Sequence, residues 1–124
     1  MIVGENPMPL SASTLSGALI QAGQAAAGAL STAGKDLQGA FTTFVVPELQ
    51  KIAAQIVSIE ERTAAGLLTE DTAKFMLAGQ RDHIQSTVAM VSELTIFEVQ
   101  NILNAALGAV RDVVNGAVHF ALIP

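Results

Sequence analysis

The sequence predicts an all-α protein: a long antiparallel helical hairpin, which could also break into a bundle of three to five helices. Three observations predict it. Small, polar and apolar residues recur at alternating steps of three and four almost from end to end. One strong turn signal, Thr63 to Thr69, lies near the middle of the chain. The charges are also concentrated around that turn. Of 11 acidic and 6 basic side chains, twelve lie between Glu48 and Glu98, and residues 7–34 carry none. Folding back at Gly66 pairs charged stretch with charged stretch, and uncharged arm with uncharged arm.

Residues 1–12, with Pro7 and Pro9, are expected to form an extended N-terminal arm. The first helical arm is placed at 13–63. Its small or polar stripe runs Thr14, Gly17, Gln21, Gln24, Gly28, Ser31, Lys35 and Gln38. The opposing stripe runs Leu15, Leu19, Ala22, Ala26, Ala29, Ala33, Leu37, Ala40 and Phe44. Glycine costs up to about 1 kcal/mol against alanine inside a helix, so this Gly-rich segment gains stability only by close packing. Helix over 13–45 would extend about 50 Å. Pro47 lacks the amide hydrogen and crowds the preceding turn, so a kink is expected there. Beyond it Leu49, Ile52, Ile56 and Ile59 form an apolar seam, dressed outside by Glu48, Lys51, Glu60 and Arg62.

Residues 64–69 form the turn. Gly66 suits a left-handed C-cap, and Thr69 caps the next helix, with Glu70 and Asp71 placed well against its dipole. Glu70 and Lys74 make an i,i+4 pair. The second arm is placed at 70–120, through Ala73, Leu77, Ile84, Val88, Val91 and Leu94, with Leu77, Ile84 and Val88 expected against Ile52, Ile56 and Ile59. Thr95 and Glu98 also fit a capping box that would interrupt it; the alternative, an unbroken helix with Thr95 facing inward, is the one kept in the 70–120 assignment. After Val99 the helix is apolar around most of its circumference. One polar strip remains: Glu98, Asn101, Asn104, Gly108, Asp112, Asn115 and His119.

The composition excludes more than it assigns. Charged residues make up 14% of the chain, against about 25% in ordinary proteins. Without cysteine there are no disulfides or thiolate metal sites. Scattered single cations make no basic stripe, so no nucleic acid is expected. His83 and His119 lack ligand spacing; His83 reads as a solvated residue and His119 as a core or interface one. No catalytic or phosphate-binding motif occurs, so the protein is read as non-enzymatic, with no metal, no cofactor and no small-molecule substrate. Met1 to Pro7 does not resemble a secretory signal, which points to the cytoplasm or a particle assembled there.

Two uncharged arms must be hidden by each other, by other copies or by lipid. The leading expectation is a non-catalytic structural subunit that self-associates through Ala/Gly-rich helices into a homo-oligomer or a larger particle such as a virion. The candidate association residues are Gly17, Gln21, Gln24 and Gly28 on the first arm, with Asn101, Asn104, Gly108 and Asn115 on the second. The amides have three readings: a solvated face, a network fixing register between copies, or a wet pore lining. The runner-up function is a membrane-active hairpin, each arm being long enough for a hydrocarbon core of about 30 Å. The lack of Trp and Tyr, the acidic balance and the Gln/Asn content oppose it. A soluble helical binding module is the third.

Overall fold

The computed structural model describes residues 10–30, 37–92 and 94–124. Among them the elements are all helical: α1 (Ala12–Leu30), a short α2 (Leu37–Ala40), a π-helical turn (Phe41–Val45), α3 (Val46–Ala64), α4 (Glu70–Val91) and α5 (Ile96–Val118). The extended arm expected at the N-terminus falls almost wholly outside the described residues, as do Ser31, Ala33 and Lys35 of the first-arm stripes.

The turn forms where Gly66 places it. Gly66 adopts φ +76°, the left-handed region. Its N–H donates to the Thr63 carbonyl at 3.1 Å, and the Leu67 N–H to the Arg62 carbonyl at 2.8 Å. Those two bonds satisfy carbonyls that the end of α3 would otherwise leave open. Thr69 Oγ1 then accepts the Thr72 N–H at 3.2 Å, and Lys74 meets Glu70 at 2.7 Å.

Pro47 does not interrupt the helical path. The turn before it widens instead, and the Val46 N–H donates to the Phe41 carbonyl five residues back. Val45 and Val46 both keep right-handed helical angles. A π-turn is one of the local adjustments that lets a helix accommodate an inserted residue or a proline.

Three expectations are corrected. The second arm is not continuous: α4 stops at Val91 and α5 begins after Thr95. The Thr95 N–H donates to Glu98 Oε1 at 2.9 Å, and the Glu98 N–H to Thr95 Oγ1 at 3.1 Å. The reciprocal cap satisfies two amides at once and decides for a new helix over a longer one. The arm also ends early, at Val118, where His119 turns left-handed at φ 68°. His119 is therefore an exposed helix terminus rather than a core residue.

The third correction concerns the first arm, which is not one 50 Å rod. The chain has folded back by Leu37, so α1 lies against α3 and α2, and most extensively against α5. Gln38 Nε2 of α2 donates to the Gln24 carbonyl of α1 at 3.2 Å. The buried face of α1 is Leu15, Leu19, Gly23 and Ala27; Ala22 and Ala26 are half-buried and Ala29 is exposed. Likewise Phe41 and Val45 enter the core, and Phe44 stays at its margin. With Ala and Gly all around α1, one face is little more apolar than the next, so helix crossing geometry sets the phase.

The result is a four-helix bundle, with α2 and the π-turn leading into α3. Leu49, Ile52, Ile56 and Ile59 of α3, with Ala73, Leu77, Ile84 and Val88 of α4, are buried as the two seams require. Val99 to Val118 of α5 supply the largest share of the core, and Leu122 and Ile123 beyond it are buried too. Among the described residues no polar or charged side chain is wholly buried. α4 has the sparsest packing of the long helices, against α3 and α5.

Candidate functional site

Gly17, Gln21, Gln24 and Gly28 share the outer face of α1, opposite Leu15, Leu19, Gly23 and Ala27, and all four are exposed. Ser13, Thr14, Ala25 and Ala29 are exposed with them, so this face carries no charge. The close approach expected of the small residues is made by Gly23. A Cβ there would lie 2.9 Å from Phe41 Cε1 and 3.4 Å from Ile102 Cγ2. Among the described residues, the only atom near Gly28 is Gln38 Nε2, the end of a flexible side chain, and at Gly17 nothing lies within 4 Å.

On α5, Asn104 and Gly108 are exposed, while Asn101 and Asn115 are half-buried. Two of the asparagines are used within the chain. Asn115 Nδ2 donates to the Ile123 carbonyl at 2.9 Å, and its Oδ1 accepts the Ile123 N–H at 2.9 Å. This two-point clamp holds the segment after α5 back against the helix, burying Leu122 and Ile123. Asn104 Oδ1 accepts from Arg81 Nη2, tying α5 to α4. The α1 and α5 strips are not brought together: the helices meet through Gly23 and Ile102, and both strips turn away from that contact.

Arg81 also lines a cleft that periodicity did not reveal. It lies between α4 and α5, is closed at one end by residues 121–124, and has a volume of about 550 Å³. Its floor is apolar, built from Leu77, Leu107, Leu122 and Ile123. The signal for its α4 wall was present as Lys74, Ala78, Arg81 and Gln85, a row at helical steps of four, three and four. Its closing wall was not visible, because Ala121 to Pro124 lie beyond the expected helix and no local pattern says where they pack.

Among the described residues no group of three or more His, Asp or Glu side chains could hold a metal. No helix among them is long and apolar enough to cross a membrane. Comparison with known proteins returns no matching family model, no similar curated protein and no similar solved structure. The class defined is therefore structural: an all-α helical bundle.

Proposed function

We propose that this protein is a non-catalytic structural subunit that self-associates through its uncharged Ala/Gly-rich helices into a homo-oligomer or larger particle. The observation that carries the reading is the outer face of α1: a surface helix of 19 residues with exposed Gly17, Gln21, Gln24 and Gly28 and no charge. Covering such a face strips no ion of water, and its small side chains let another backbone approach closely. Interface cores are depleted in charge for the same reason.

Area sets a second requirement. A standard interface takes about 800 Å² from each partner, more than one face of a helix about 28 Å long provides. Met90, Val91, Ile96 and Phe97, exposed around the α4–α5 corner, supply apolar surface of the kind needed, with Met90 80% and Phe97 67% accessible.

Sedimentation equilibrium over a range of concentrations tests the proposal. The expected mass is a multiple of 12.8 kDa, independent of detergent. The double variant Gln21→Glu, Gln24→Glu should shift it toward the monomer with helicity unchanged. A monomer at every concentration overturns the proposal, and so does assembly indifferent to both substitutions.

A further inference from the structure

We propose that the cleft between α4 and α5 binds a single-chain anionic amphiphile, with the acyl chain on Leu77, Leu107 and Leu122 and the head group held by Arg81 and Lys74. The inference is independent of self-association and departs from the sequence expectation that no small molecule is bound.

The cavity comes first. At about 550 Å³ it falls within the range of small-ligand pockets, roughly 300–1,000 Å³. It exists because α4 packs sparsely on α5 while the segment 121–124 walls off one end. The Asn115 clamp at 2.9 Å fixes that wall without any ligand. A site with its walls already in place spends little binding energy on ordering them.

The charges come second. The protein carries a net charge of −5, yet two of its six Lys and Arg residues line this one cleft. They stand two helical turns apart on the Lys74–Ala78–Arg81–Gln85 row, about 10 Å along α4. Among the described residues Arg81 is oriented by a neutral amide, Asn104, and pairs with no carboxylate. A guanidinium has five N–H donors, so this leaves both its charge and most of its donors for a ligand. Lys74 does pair with Glu70, but the pair is exposed on both sides, with side chains 41% and 52% accessible. Exposed pairs of this kind are weak and screened by salt. Asp82 also borders the cleft, but follows Arg81 directly and so points about 100° further round α4, at the outer margin. An apolar floor under a cationic lip matches a carboxylate-headed chain better than a neutral hydrocarbon or a polar metabolite.

Calorimetric titration with decanoate, kept below its micelle concentration, tests this beside decanol as the neutral control of equal length. Decanoate is expected to bind saturably at one site, and decanol about tenfold more weakly, the loss of a charge-assisted contact. Arg81→Gln should weaken decanoate by a similar factor and leave decanol unchanged. Ala78→Trp, at an exposed position on the wall, should block both with helicity intact. Amide shifts in the unmodified protein should map to Leu77, Leu107, Leu122 and Ile123, a readout that needs no variant. Non-saturating decanoate, equal affinity for the two ligands, indifference to Arg81→Gln, or shifts mapping elsewhere each overturn the proposal. The sedimentation mass is a separate readout, so failure of assembly and failure of binding are distinguishable.

Discussion

Gly66 decides where the chain turns. At φ +76° a Cβ would crowd the following carbonyl, at a cost of about 1–2 kcal/mol, although no neighbouring side chain among the described residues lies within 4 Å. Gly66→Ala is therefore expected to lower stability by about that amount through the backbone alone. An unchanged urea midpoint would show that the turn tolerates a side chain there. This position was legible because glycine and threonine act locally: a left-handed cap and a Thr–x–x–Glu box need only their own few residues. Asn115 was legible as a polar residue on an apolar helix, but its partner was not. Its amide is satisfied by Ile123, eight residues on, and only the reversal after Val118 brings the two together.

Among the elements, α1 separates what periodicity reveals from what packing decides. A helix was evident from its steps of three and four, but its buried face was not. Leu15 and Leu19 belong to both the expected and the observed face; after them Gly23 and Ala27 are buried in place of Ala22, Ala26 and Ala29. Gly23→Ala should thus cost about 1–3 kcal/mol, because the buried Phe41 ring, 2.9 Å from the new Cβ, has little room to yield. Gly28→Ala should instead gain up to about 1 kcal/mol of helix propensity, since Gln38 can move aside. Thermal unfolding of the two variants measures this contrast. Equal effects would mean that α1 sits in another rotation about its axis.

In the whole molecule, the order of helices around the core ranks their stability. α1 and α5 share the most extensive packing, and α3 joins them through its isoleucines, with Phe41 of the π-turn beside it, whereas α4 packs mainly on α3 and α5 and opens the cleft on one side. Amide hydrogens in the middle of α4 should therefore exchange faster than those at the centres of α3 and α5, by about tenfold or more, each tenfold being about 1.4 kcal/mol. Uniform protection across the three helices would show that the bundle opens only as one unit. Added decanoate should slow exchange in α4 if the cleft is the site proposed.

The sequence by itself determined that the protein is helical, where the α3–α4 turn falls, how its caps are built, and that Ile52, Ile56 and Ile59 enter a core. These depend on periodicity and on interactions within a few residues. The tertiary structure alone decided the rest: that α1 folds back beside α3, that Gly23 rather than Gly28 makes the close contact, and that a cleft opens between α4 and α5. Each of these depends on which surfaces meet across many residues of chain. A helix of alanines and glycines offers nearly equivalent faces to such a meeting, so the choice among them is made by its neighbours.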